Sequence, residues 1–265
     1  MELVKRNNVK VIGKGEQAMI FAHGFGCDQN MWRYLYPGFL DNYKIVLYDH
    51  VGAGNSDTSA YDQNKYSSLN GYATDLLEIC RELDLYDAIF VGHSVGAMIG
   101  ILSAIAEPER FAKLILITPS PCYVNQDDYY GGFDYSTVDL MLQHMNSNFM
   151  DWSGTFASFI MGNPDSPSLA EELAYSICHT DVSIAKHFAR VTFLSDNRLD
   201  LPKLKTKSLI LQCADDSIAP EEVGLYMQTQ LTDTTLVKLK ATGHCPNLSA
   251  PLETAAAIQN FLCAN

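Results

Sequence analysis

Four short, unbroken apolar runs in the first 120 residues constrain this chain more than any other feature: 18–23 (AMIFAH), 44–49 (KIVLYD), 88–92 (AIFVG) and 113–118 (KLILIT), each bounded by Gly, Asp or Pro. Runs of this length without polar alternation fit strands buried on both faces of a parallel sheet. Helical patterns lie between them. Residues 72–83 carry apolar side chains at 72, 76, 79 and 83, and residues 95–106 are apolar all round, which places that helix in the interior. The same rhythm returns at 208–212 and 236–239 (strands) and at 221–230 and 252–262 (helices). The alternation predicts an α/β fold with a mostly parallel central sheet flanked by helices.

Residues 126–200 break that rhythm and read as consecutive helices, as in Val138, Met141, Leu142 and Met145 at i, i+3, i+4 and i+7. Breaks are expected at Gly131-Gly132, Asn163-Pro164, Pro167 and Thr180-Asp181. The segment holds six of the twelve phenylalanines and one of the two tryptophans. It is therefore expected to be a helical lid (126–200) inserted into one core made of 1–125 and 201–265, covering something apolar.

Charge narrows the function classes. Thirty-one acidic against eighteen basic residues give a net charge of −13, which repels phosphate backbones and anionic lipid, so neither a nucleic acid nor a membrane is expected as partner. No apolar run reaches the length of a membrane span, and no secretory leader pattern opens the sequence. The seven cysteines are odd in number, widely spaced and without C-x-x-C, which points to reduced thiols in a cytoplasmic protein and to no metal site.

The chemistry concentrates in Gly92-His93-Ser94-Val95-Gly96. A G-x-S-x-G is common by chance, but here an apolar strand runs into it and a buried helix runs out, the context a nucleophile elbow requires. A serine needs a base held by an acid, in the chain order Ser, Asp/Glu, His for this architecture. His244 follows the last predicted strand. His23, His50 and His93 precede the serine, and His144, His179 and His187 fall in the helical segment. The acid belongs after strand 208–212, where Asp215 and Asp216 compete; Asp216, four residues before Pro220, is preferred. His23-Gly24-Phe25-Gly26, after the first strand, supplies an oxyanion donor in the amide of Phe25, with the amide of Val95 as the second. The spaced glycines of 49–56 match no phosphate-binding pattern and read as a structural turn. Cys245, beside the candidate base, reads as packing.

HGFGCDQNMW (23–32), YDHVGAGNSD (48–57), FVGHSVGA (90–97), PSPCYVN (119–125), DYYGGF (128–133), FLSDNR (193–198), LILQCADDSIAP (209–220) and GHCPNLSAP (243–251) follow one another in order along nearly the whole chain. In these motifs the sequence resembles the α/β-hydrolases, and within them the RsbQ-like bacterial stress-response hydrolases and the plant karrikin and strigolactone receptor hydrolases. The resemblance implies a catalytic triad of Ser94, Asp216 and His244, with oxyanion donors at Phe25 and Val95. It also implies a four-helix, V-shaped lid over an apolar cavity bordered by Phe25, Tyr123, Phe133, Trp152, Phe156 and Phe193. Asn247 departs from the pattern, standing where relatives often have a second histidine. The implied activity is cofactor-independent hydrolysis of a small apolar ester or lactone. RsbQ-like proteins also imply a stress-signalling role, with a PAS-domain phosphatase as partner; ligand sensing rather than turnover is then the alternative output. Dehalogenases and epoxide hydrolases of this fold carry aspartate at the elbow, where this chain has Ser94.

Overall fold

The computed structural model describes residues 2–264. Among these residues seven strands form one sheet: β1 (Lys10–Ile12), β2 (Ala18–Ala22), β3 (Lys44–Leu47), β4 (Ala88–His93), β5 (Phe111–Ile117), β6 (Lys207–Gln212) and β7 (Thr234–Lys238). Their spatial order is β1-β3-β2-β4-β5-β6-β7, with β1 antiparallel and every other pairing parallel. The four apolar runs sit in the middle of this order. Every residue of β2 and β4 is buried, as a strand covered by helices on both faces requires.

Ten α-helices among the described residues accompany the sheet. They are α1 (Glu2–Arg6), α2 (Leu69–Glu82), α3 (Val95–Ala106), α4 (Tyr135–Ser147), α5 (Phe149–Met161), α6 (Pro167–Cys178), α7 (Val182–Phe193), α8 (Glu221–Gln230), α9 (Pro246–Ser249) and α10 (Pro251–Cys263). The mostly parallel sheet flanked by helices is the fold that the apolar rhythm predicts. Helix α3 has the predicted bounds and buries ten consecutive residues from Val95 to Ala104. Helices α4–α7 all lie between β5 and β6 in the chain. Their ends follow local chemistry. Gly162 caps α5 in the left-handed region, Pro167 opens α6, and the Asp181 carboxylate accepts from the amides of Ser183 and Ile184 at the start of α7.

Three short elements, β1, α1 and α9, were not expected from the sequence. All three residues of β1 are exposed, and this edge strand is too short for a pattern to stand out; its pairing defines it, Lys10 opposite Leu47 and Ile12 opposite Ile45. Helix α1 is too short for a period to show.

Candidate active site

The sheet delivers the candidate residues at the carboxyl ends of its strands. Ser94 lies between β4 and α3 with φ +55° and ψ −123°, a conformation an L-residue holds only when its surroundings enforce it. The flanking glycines permit the turn. A Cβ on Gly92 would lie 2.7 Å from Cα of Ala97, and one on Gly96 would lie 2.5 Å from the carbonyl oxygen of His23 and 2.6 Å from that of Ala22. Any side chain at either place would push helix and sheet apart.

His244 follows β7, and its ring reaches Ser94: Nε2 is 2.8 Å from the serine Oγ. On the other side Nδ1 faces the Asp216 carboxylate at 2.8 and 3.0 Å. An ionised carboxylate only accepts, so Nδ1 carries the proton and Nε2 offers its lone pair to the serine hydroxyl. Both side chains are buried. Asp216 also accepts from the amides of Ile218 (2.8 Å) and Ala219 (3.0 Å). Burial pushes its carboxyl up, but the His244 ring and the two amides outweigh that and hold it below the usual carboxylate range. Asp215, the other candidate from sequence, is exposed; its contribution is a carbonyl that accepts from the amide of Gly243 at 2.7 Å.

The main chain of His244 is held from three directions. Its carbonyl accepts from Nε2 of His93 (2.8 Å) and Oγ1 of Thr118 (3.0 Å), and its amide donates to the carbonyl of Ile160, in the last turn of α5 (2.9 Å). Thr118 is buried with φ +45°, an outlier for a β-branched residue. The amide of Val95 begins α3, where helix N–H groups lack intrahelical acceptors and the dipole favours negative charge. Phe25 is the second residue after His23 beyond β2, and Gly26 follows it at φ +73°.

The other histidines near Ser94 are differently engaged. His23 donates from Nδ1 to the carbonyl of Gly24 and accepts at Nε2 from the amide of His50, whose Nε2 in turn donates to the carbonyl of His23. Burial lowers His23 to about 4, His93 to about 3, and His50 well below its ordinary value. Glycines 52 and 54 belong to a turn built around the buried Asp49, whose carboxylate accepts from Asn8 Nδ2 and from the amides of Gln29 and Asn55. The Cys245 thiol is buried and pushed up by burial, as packing predicts.

Aromatic rings gather around Phe25, which with Phe193 lines the cavity at Ser94. Phe25 meets Trp152, Phe156, Phe188 and Phe193 with centroids 5.7–6.4 Å apart, mostly edge to face. Tyr123 packs on Phe193 at 5.2 Å, and its hydroxyl is 3.2 Å from Ser94 Oγ. Phe133 stands outside this group, half-buried and edge-on to Phe159. The cavity at Ser94 is small, about 10 Å³, with Phe25, Phe193, Leu173, Thr192 and His244 among its walls. Phe188, Leu173 and Thr192 were not singled out from sequence. Phe188 and Thr192 lie four apart on the buried stripe of α7 (Ile184, Ala185, Phe188, Ala189, Thr192), a periodicity that could have found them.

A parallel sheet that presents a linked serine, imidazole and carboxylate at its strand ends defines the hydrolase class of α/β proteins. The chain belongs to the alpha/beta hydrolase family, whose model matches residues 19–257. Among curated relatives, the karrikin insensitive 2 receptor CA of Petunia hybrida is 38% identical over 246 residues, covering 92% of this chain and 91% of that one. The strigolactone esterase D14 of Arabidopsis thaliana is 38% identical over 256 residues, 96% of each chain. A solved hydrolase from Oleispira antarctica superposes with a TM-score of 0.97 at 38% identity, covering 100% of this chain and 97% of its own. The relatives thus include both receptors and esterases. No helix among the described residues is long and apolar enough to cross a membrane.

Proposed function

We propose that the protein is a cofactor-independent serine hydrolase that cleaves a small, largely apolar ester or lactone. Ser94 attacks the carbonyl while His244 Nε2 takes its proton; Asp216 fixes the ring and stabilises the imidazolium. The amides of Phe25 and Val95 receive the oxyanion. His244 then returns the proton to the leaving oxygen, and water, activated by the same ring, releases the acyl group. The observation that carries this reading is the continuous row Ser94 Oγ–His244 Nε2 (2.8 Å) and His244 Nδ1–Asp216 Oδ2 (2.8 Å). The substrate class is supported by Phe25 and Phe193 in the wall of the Ser94 cavity, with Trp152, Phe156 and Phe188 packed on Phe25 behind them. Helices α4–α7, in segment 126–200, act as a lid on the core of 1–125 and 201–265. Because a cavity of about 10 Å³ admits one water and no ester, lid side chains such as Leu173 must withdraw during turnover.

A signalling output is supported by the karrikin receptor relative at 38% identity and by the RsbQ-like motifs. In that reading the protein works in the cytoplasm, and a PAS-domain phosphatase reads its state.

The test is hydrolysis of 4-nitrophenyl acetate. Ser94→Ala is expected to lower kcat by about four orders of magnitude or more, as loss of an activated serine does elsewhere. Equal rates for the two proteins would remove the hydrolase reading.

A further inference from the structure

Among the side-chain nitrogens and oxygens in the wall of the Ser94 cavity, all but one are engaged or enclosed. The Ser94 hydroxyl meets His244 and Tyr123. Both ring nitrogens of His244 are taken. His93 donates through Nε2, and its unpartnered Nδ1 lies against Gly24, where even an added Cβ would come within 2.4 Å. The exception is Thr192. It sits in the last turn of α7, is 1% exposed, lines the cavity, and its Oγ1 has no protein partner. A threonine in a helix can satisfy its hydroxyl on the carbonyl four residues back. This one does not. Buried hydroxyls without a partner are costly and rare, and those that persist in native proteins call for a functional account.

We infer that the Thr192 hydroxyl is a hydrogen-bonding subsite for substrate, and that the preferred ester or lactone carries a second oxygen function, such as a hydroxyl, ether or carbonyl, apart from the one attacked. This deepens the proposed hydrolase reading and rests on it. Phe25, Phe193 and the aliphatic wall accept the hydrocarbon body, and Thr192 is the one lid side chain in the cavity wall free to pair with a polar atom of the ligand. A hydroxyl both donates and accepts, so the subsite selects for the presence of oxygen at the right place rather than for one functional group. A pocket built to pair with a ligand oxygen discriminates against the analogue lacking it, because the protein group is then left buried and alone.

The test uses 4-nitrophenyl esters in isosteric pairs, a straight hydrocarbon acyl chain against the same chain with one CH₂ replaced by an ether oxygen at successive positions. Thr192→Val keeps shape and removes the hydroxyl. For at least one oxygen position, the kcat/KM ratio of ether to hydrocarbon ester is expected to fall about tenfold in Thr192→Val, the size of one hydrogen bond to a buried neutral group. Thr192→Ser should keep the wild-type ratio. A ratio unchanged at every oxygen position would overturn the inference. Thr192→Ala carries the same ratio comparison should the valine variant not fold. The hydrolase reading fails separately, through wild-type turnover that survives Ser94→Ala.

Discussion

At the scale of single residues, one hydrogen bond decides which tautomer the base adopts. Asp216 is placed to accept from His244 Nδ1 because its own carboxylate is fixed by the amides of Ile218 and Ala219 two and three positions on. An asparagine at 216 keeps that size and shape, but it can donate its amide to Nδ1. The proton then moves to Nε2, and the ring no longer accepts from Ser94. Asp216→Asn is therefore expected to lower kcat by about 10⁴ at neutral pH while the fold and KM stay close to wild type. Steady-state kinetics with circular dichroism checks this. A variant that retained a tenth of wild-type kcat would show that Asp216 does not set the tautomer. Asp215→Asn, one residue away and exposed, should change kcat by less than about twofold. The two adjacent carboxylates could not be separated by residue type in the sequence. What separates them in three dimensions is which one follows β6 on the buried side of the turn.

At the scale of elements, the elbow depends on α3 approaching β2 and β4 more closely than side chains allow. Gly96 touches the carbonyls of Ala22 and His23, rigid backbone that cannot turn aside. Gly96→Ala must move α3 away from β2, with a cost of about 1–3 kcal/mol expected for overpacking. For a chain of this size that corresponds to a melting temperature lower by roughly 2–5 °C. Turnover should fall too, since Ser94 and the amide of Val95 ride on the displaced helix. An unchanged melting temperature, read by calorimetry, would mean the elbow has slack that these contacts do not show. The G-x-S-x-G, the apolar strand before it and the apolar helix after it made this element legible in sequence, because steric demands act directly on residue type. Other features left weaker traces. The β1 strand is exposed and held by pairing with β3, which residue type does not record. Phe133, an aromatic like its neighbours in the motif set, packs on Phe159 instead of on Phe25. Thr192 looked like an ordinary helical residue, since a hydroxyl is unusual only once its surroundings are known to be dry.

At the scale of the whole molecule, three adjacent strands of the sheet, β3, β2 and β4, end in or run into buried histidines: His50, His23 and His93. Together with His244 they form a layer where sheet and helical insertion meet, since the amide of His244 donates to α5. Burial keeps the rings of His23, His50 and His93 neutral in the folded protein, with His23 lowered to about 4, His93 to about 3 and His50 well below its ordinary value. Unfolded, each titrates near about 6.5. Below that pH the unfolded chain binds protons that the folded one refuses, so stability is full above pH about 6.5 and declines as pH falls toward the folded values. Each ring contributes about 1.4 kcal/mol per pH unit in that window. The lowered carboxyl of Asp216 acts with the same sign, but nearer pH 4. The net charge of −13 works the other way, since acid relieves self-repulsion. That relief requires protonating surface carboxylates and is small above about pH 5. Between pH 7.5 and 5 the histidine layer therefore dominates, and urea unfolding is expected to show a loss of roughly 4–6 kcal/mol. His23→Asn should make the slope shallower by about one proton, whatever it does to stability at pH 7.5. An unfolding free energy that stays flat from pH 7.5 to 5 would mean that the buried rings already hold protons in the native state, which their single acceptor contacts do not support.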